Sequence, residues 1–418
     1  MVNEKLYEKL AKLAVRKGVN VQKGQLLVVK AAADIAWFVR IVVKEAYEAG
    51  AEEVSVEWRD NEITRLGYAH RSEASLSLVP DWVRDREAYR QEKHACFLNI
   101  ISEPPGGLKG IDEAKINAYQ RAYHEKMGDL LNYTMNNLGQ WCVVGLPSIE
   151  WARAVFPGLS DEEAFEKLAD VIFRVSRVEE DNDPIAEWKA HDNALAMYCQ
   201  RLNEHQFKEL HFSNSLGTDL TVGLVENHIW VGGGCTTPQG VYFDPNIPTE
   251  ECFCMPHRDK VNGKVVASRP LSYNGKVIED FWFRFENGVV VEHGAGKEAQ
   301  SLDALLAFDE GSRRLGEVAL VPYESPVSLS GVLFFNTLYD ENAACHLALG
   351  RCYPENLEGG VDMDKAQVLA HGGNDSMQHE DFMFGTRDMK VDGVKADGTI
   401  IPIFRNGGFV IGGEQENG

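Results

Sequence analysis

Two stretches of this 418-residue chain combine side chains that can bind metal and move protons. The first is Asp340-Glu-Asn-Ala-Ala-Cys-His346-Leu-Ala-Leu-Gly-Arg-Cys-Tyr353, which reads as a helix. Asp340 and Asn342 serve as N-terminal caps, the Ala and Leu residues favour helix, and Pro354 disfavours helical backbone just before it. On such a helix His346 and Tyr353 lie close to two turns apart and share one stripe. They then offer a metal ligand and an acid or oxyanion donor, although on this stretch alone two buried polar groups with ordinary hydrogen bonds are the commoner case. The second stretch is His379-Glu380-Asp381, which follows turn chemistry at Asn374-Asp-Ser-Met. On a strand His379 and Asp381 leave the same face and can reach one ion cluster. It is not a zincin motif, which needs two histidines four apart on a helix.

Two further acids interrupt apolar strands. Glu317 sits in Leu315-Gly-Glu-Val-Ala-Leu-Val321, where a solvated edge explains it as well as a ligand role does. Glu250 and Glu251 enter Cys-Phe-Cys-Met-Pro256, and alternation groups Glu251 with Phe253 and Glu250 with Cys252. One of the pair should face the site, and periodicity does not choose between them.

The elements that must position these residues fall into two textures. Before residue 183 the chain alternates strands and helices. Gln25–Val29, Glu53–Glu57, Ala95–Ile101 and Gln140–Gly145 are strands, with helices at 34–48 and 112–127. Helices also follow at 148–154, from the Ser160-Asp-Glu-Glu163 capping box to Val178, and from Asp183 to Asn203. From Glu209 onward short strands and turns dominate, with hairpin signals at Asn262-Gly263, Asn274-Gly275, Asn287-Gly288 and Asp397-Gly398. The expectation is an α/β domain with a mostly parallel sheet over 1–183, and a strand-rich α+β domain over 184–418 that carries the metal site.

Composition narrows the partners. A net charge of −22 argues against nucleic acid and anionic membrane. No uncharged apolar run reaches membrane-spanning length, and the N-terminus lacks a signal-peptide core. The eight cysteines show no zinc-ribbon or redox spacing, so reduced thiols and a cytoplasmic location are expected. No G-x-G-x-x-G follows Gln25–Val29, and Gly294-Ala-Gly296-Lys297 fails the P-loop spacing.

Taken together, the blocks resemble the aminopeptidase T / aminopeptidase S family of two-metal aminopeptidases. They are Asn246-Ile-Pro-Thr-Glu-Glu251, Pro256-His-Arg with Ser268-Arg-Pro-Leu271, Gly316-Glu317, Tyr339-Asp-Glu-Asn342 through His346 and Gly350 to Tyr353, and Asn374 through His379-Glu-Asp381-Phe-Met383 to Gly385. The resemblance implies two divalent ions (Zn, Co or Mn) held by Glu251, Glu317, His346, His379 and Asp381, with Tyr353 as catalytic residue. It further implies a homodimer and hydrolysis of the N-terminal bond of short peptides by a metal-bridging hydroxide, with the first domain restricting access. Two neutral imidazoles and three carboxylates are a donor set suited to these ions. Glu341 could meet the substrate amine, or stand as an ordinary acid at a helix terminus. The rivals are a two-metal hydrolase of another amide or ester bond, and a non-catalytic peptide-binding relative.

Overall fold

The computed structural model describes residues 4–412 apart from Gly275, and leaves the Glu113 side chain undescribed. The chain divides into two compact units, one of residues 1–189 with 234–248, the other of 190–233 with 249–418. In the first unit, strands β1 (Leu26–Ala32), β2 (Glu53–Arg59), β3 (Cys96–Ile101), β4 (Trp141–Gly145) and β5 (Asn246–Ile247) form one sheet in the order β2-β1-β3-β4-β5. Every pair in it is parallel. A parallel sheet buries both faces, which is why its strands are apolar runs. Leu27, Val29, Ala31, Leu98, Ile100 and Val144 pack with Phe38 and Val42 of the helix Ala36–Ala49 on one side. Val28 and Phe97 pack with Tyr133 on the other. The chain steps from β1 outward to β2, then returns past β1 to lay down β3 and β4. The loops after β1 and β3 therefore lead away on opposite sides of the sheet, and a crevice opens between them.

Two helices of the first unit carry side-chain caps, whereas Asp340 makes no side-chain cap to the turn Glu341–Ala343. Asp112 accepts a hydrogen bond from the Ala114 backbone N–H, and Ser160 and Glu163 form a reciprocal capping box.

The second unit contains two main sheets. An eight-stranded antiparallel sheet runs from Val289–Gly294 at one edge to Gly408–Phe409 at the other. A four-stranded antiparallel sheet is built from β6 (Cys252–Cys254), β7 (Leu315–Leu320), β8 (His346–Gly350) and β9 (His379–Met383), in that order. Its core side presents Leu315, Val318, Leu320, Leu347, Leu349 and Phe382 to Phe212, Val261, Phe283 and Phe285. Each such fully buried side chain contributes about 1.5–3 kcal/mol.

Two expectations are corrected here. Residues 340–353 are not a helix. A short helix, Thr337–Asp340, and a 3-10 turn, Glu341–Ala343, give way to the strand β8, all five residues of which are buried. Leu-Ala-Leu is an apolar run that fits a helix or a doubly buried strand equally, and strand partners on both sides decided for the strand over intrinsic propensity. Gly350, at φ +114°, has a backbone no right-handed helix contains. Likewise, Asn262-Gly263 is no hairpin turn; it lies inside the eleven-residue strand Pro256–Val266, paired on both sides. The Asn287-Gly288 and Asp397-Gly398 hairpins form as expected, between Trp282–Glu286 and Val289–Gly294 and between Lys390–Val394 and Ile400–Arg405. Asn274 takes the left-handed conformation between Leu271–Tyr273 and Lys276–Ile278, and Gly275 lies outside the described residues.

Gly350 tests the packing of the four-stranded sheet. A Cβ there would lie 2.1 Å from the Gln378 carbonyl oxygen, on top of the left-handed backbone. Gly398, at φ +86°, has open space around it. Urea denaturation should show Gly398→Ala losing about 1 kcal/mol from backbone strain alone, and Gly350→Ala losing at least about 2 kcal/mol more.

Candidate metal centre

The four-stranded sheet aims one face at its core and gathers ionisable side chains on the other. Cross-strand register shows how. Glu317 on β7 pairs with Ala348 on β8, and Ala348 pairs with Asp381 on β9. The two carboxylates thus lie in one row, with a methyl group between them leaving the gap open. His346 is two residues from Ala348, and His379 two from Asp381, so both imidazoles share that face. Phe253, opposite Ala319 and hence in the row of His346, brings Glu251 to the same side from the start of β6.

Strict alternation from Leu315 would have turned Glu317 into the core. A bulge corrects the phase: Leu315 pairs with Leu349 and Glu317 with Ala348, so Gly316 is the extra residue. The backbone there runs so close to β8 that a Cβ on Gly316 would lie 2.2 Å from the Arg351 oxygen. Leu315 can then face the core while Glu317, 4% exposed, faces the site. β7 has a strand on either side, so Glu317 is not at a solvated edge.

Five of the six sequence-selected residues meet in two groups joined at Glu317. Glu251, Glu317 and His346 place one donor atom each within 4.8 Å of one another, and so do Glu317, His379 and Asp381. His346 Nε2 is 3.0 Å from Glu251 Oε2 and 3.4 Å from Glu317 Oε1. His379 Nε2 is 3.3 Å from Glu317 Oε2 and 3.4 Å from Asp381 Oδ1. Each oxygen of Glu317 therefore faces a different imidazole. The other ring nitrogens are tied back: His346 Nδ1–H donates to the Ala344 carbonyl and His379 Nδ1–H to that of Arg351, at 3.2 and 2.7 Å. These bonds hold both rings with Nε2 turned to the carboxylates.

The sixth residue, Tyr353, shares no helical stripe with His346. It follows β8 and sets its ring beside His379, with centroids 4.7 Å apart, and edge-on to Phe253. Of the adjacent acids, Glu250 turns away. Its carboxylate lies 3.6 Å from His191 Nε2, and its N–H donates to Asn342 Oδ1 at 2.6 Å.

The donor set fits a cation. Glu251 Oε2 and Asp381 Oδ1, one in each group, are buried acceptors that face an imidazole Nε2, at 3.0 and 3.4 Å, without a well-directed hydrogen bond. Three carboxylates on one buried face repel each other, and only positive charge offsets that. With no ion, the imidazoles supply it as protons. Burial opposes charge on His346, but the Glu251 and Glu317 carboxylates outweigh it and lift its pKa well above the ordinary 6.5. His379 is lifted in the same way against burial, by Tyr353, Asp381 and Glu317. Burial pushes Glu317 upward, yet its two imidazoles bring it down to about 2. Glu251 rises, through burial and the neighbouring carboxylates.

Other residues position the site from a distance along the chain, and of these Asn374 stands in the stretch already marked as turn chemistry. Asn374 Nδ2–H donates to the carbonyls of Gly311 and Gly350, at 2.9 and 2.6 Å, pinning the turn ahead of β9. Asp309 accepts from Ser376 Oγ and the Met377 N–H in the same turn. Asp309 and His191 are far along the chain from the residues they support, so only the Asx-type spacing Asp309-x-x-Ser312 was there to be read.

Comparison with known proteins agrees with this geometry. The family described as thermophilic metalloprotease (M29) matches residues 3–409. Aminopeptidase AmpS of Bacillus subtilis (strain 168) is 45% identical, over 96% of this chain and 97% of its own length. Aminopeptidase 2 of Geobacillus stearothermophilus is 44% identical, over 97% of this chain and 98% of its own. The solved structure of wild-type AmpT from Thermus thermophilus superposes with a TM-score of 0.91 at 41% identity, covering 98% of this chain and all of that one.

The charge balance has a pH signature. A histidine whose folded pKa exceeds 6.5 stabilises the fold fully below that pH, and the contribution is lost as pH rises through the folded value. Chelator-treated protein should therefore melt at progressively lower temperature as pH is raised from about 6 to about 9. Imidazole NMR should show His346 and His379 titrating above 6.5. His228, lowered by burial despite donating from Nδ1 to the Val225 carbonyl, should titrate below it.

Proposed function

The chain belongs to the thermophilic metalloprotease family and is a metalloaminopeptidase, and on that premise we propose that it removes the N-terminal residue from short peptides at the face built around Glu317. The observation that carries the reading is the Glu317 carboxylate, which is shared by two donor groups of buried carboxylate and imidazole. Glu251 and His346 would hold one divalent ion, His379 and Asp381 a second, and Glu317 would serve both. Zinc, cobalt and manganese suit this mixture of imidazole and carboxylate. When bound, such ions supply Lewis acidity for the scissile carbonyl and acidify water so that it can attack at neutral pH.

The remaining work falls to the chain's own side chains. The Ala344 and Arg351 carbonyls keep His346 and His379 in the tautomer whose Nε2 can ligate. Tyr353 donates. His379 draws its pKa down, but burial and the surrounding carboxylates raise it overall, so the phenol keeps its proton at working pH. A neutral O–H beside His379 can hydrogen-bond the oxyanion that develops on the substrate carbonyl or the leaving nitrogen. Glu341 is the group for the substrate's α-ammonium. It lines a small cavity with Asp340 and Asp381, where burial first and then Glu251 and Asp381 disfavour its charge in the absence of a cation. An ammonium there relieves the repulsion, whereas an N-acylated peptide does not.

A homodimeric state and a cytoplasmic location belong to the same proposal. All eight cysteines are free thiols, in keeping with a reducing compartment. No helix among the described residues is long and apolar enough to cross a membrane.

Metal analysis beside hydrolysis of Leu-p-nitroanilide tests the ligand set. The wild type should hold about two divalent ions per chain. His379→Ala should lose metal and activity together. Tyr353→Phe should retain its metal while kcat falls about 10²- to 10³-fold. A Tyr353→Phe enzyme of wild-type kcat would overturn the role given to the phenol. For the amine site, Glu341→Gln should raise KM for Leu-p-nitroanilide about tenfold or more. The wild type should leave N-acetyl-Leu-p-nitroanilide uncut; equal cleavage of both substrates would remove aminopeptidase specificity altogether.

A further inference from the structure

One face of the parallel sheet in the first unit is not wholly apolar. Val28, Phe97 and Trp141 pair across it in one row, and the next row on that face is Glu57, Lys30, Asn99 and Val143. Covered faces of parallel sheets are ordinarily continuous hydrocarbon, so a lysine and an amide in mid-strand need a physical reason. Both line a cavity of about 380 Å³, in the size range of small-molecule sites, whose apolar walls include Phe97, Leu130, Leu131 and Trp141.

Three half-buried donors in this wall reach no acceptor among the described residues: the Lys30 ammonium, the Asn99 amide N–H groups and the Tyr123 hydroxyl. Lys30 Nζ lies 5.4 Å from the centre of the Phe97 ring. The carboxylate opposite Lys30 in register, Glu57, is held instead by Arg86 and Arg90, at 2.8 and 2.9 Å. Asn99 accepts from Arg59 through Oδ1, which leaves its Nδ2 hydrogens pointing elsewhere. Burial and then Glu87 hold the Tyr123 phenol above its ordinary pKa, so it keeps its proton.

Charge selects the ligand. Among the described residues that line the cavity the acid is Glu87, and Arg90 holds it at 2.7 Å. Arg59 stands 3.5 Å from Glu103. Lys30 is then one positive charge without a counter-ion, beside neutral donors and hydrocarbon walls. A cationic ligand would meet that charge unscreened. A phosphate dianion would carry more charge than Lys30 balances, and among the described residues no glycine-rich turn lines the cavity to bring it backbone N–H groups. A singly charged carboxylate on an apolar body matches the set.

We propose that the first unit binds a small monocarboxylic acid in this cavity, its carboxylate accepting from Lys30 Nζ and Asn99 Nδ2 and its apolar body lying against Phe97 and Trp141. The Tyr123 hydroxyl is a further donor to the same group.

Calorimetric titration of the metal-loaded enzyme with 3-phenylpropionate, beside its uncharged amide, tests the site. The wild type should bind about one equivalent of the acid per chain, and the amide at least about tenfold more weakly. This contrast needs no variant. Lys30→Met keeps the side chain's length and removes its charge, and should weaken the acid at least about tenfold while leaving the amide as it was. Val143→Phe changes no charge, fills the cavity from β4 and should weaken both. Lys44→Met removes an exposed charge from the helix Ala36–Ala49 and should bind as the wild type does. Near-ultraviolet circular dichroism shows whether each variant is folded. Four results would overturn the proposal: no saturable heat in the wild type, equal affinity for acid and amide, equal weakening by Lys44→Met, or acid binding that survives Lys30→Met and follows inhibition of Leu-p-nitroanilide hydrolysis, which would seat the acid on the metal ions.

Discussion

The structure of the second unit is organised by the need to bury like charges side by side. Glu251, Glu317 and Asp381 share one face of a sheet whose opposite face is hydrocarbon. Carboxylates in such a place are strongly unfavourable unless compensating charge lies within contact distance. His346 and His379 answer this need in the ion-free state by holding protons, and would answer it as neutral ligands when cations take over the charge. Metal binding, proton release and stability of the sheet are therefore expected to be coupled.

Precision comes from backbone geometry. The Gly316 bulge is what separates Leu315, which packs in the core, from Glu317, which faces the site. Ala348 leaves room between two carboxylates, and Gly350 admits the Gln378 carbonyl where a side chain would collide. Around these strands lies a layer of side chain–backbone hydrogen bonds. Asn342 fixes the approach to β6, while Asn374 and Asp309 fix the turn before β9. These amides and carboxylates touch no substrate in the proposed chemistry. They hold donor atoms to within the tolerance that ion binding demands.

The first unit follows a different logic. Its parallel sheet is held by apolar packing on both faces, and its crossover pattern opens a crevice whatever residues happen to line it. Arg59 and five carboxylates are among the side chains that line it.

Much of this was legible in the residues alone. Strand–helix alternation ahead of residue 183 pointed to a parallel sheet, because a helix crossing over between two strands returns the chain in the same direction. The spacing of His379 and Asp381 put both on one strand face, and five blocks resembling a known family pointed to the six candidate site residues. The conformation of residues 340–353 was not legible. Local propensity favours helix for Ala-Cys-His-Leu-Ala-Leu, and only hydrogen-bonding partners distant in the chain on either side, Val318 and Phe382 against Leu347, made it a strand. The choice of Glu251 over Glu250 likewise had no local cause, since alternation treats both alike. It was decided by pairing register, with Glu251 turned to His346 and Glu250 to His191. Short-range pattern determines which faces exist. Which face meets which partner is set by contacts between residues distant in the chain, and these exist only once the sheet has formed.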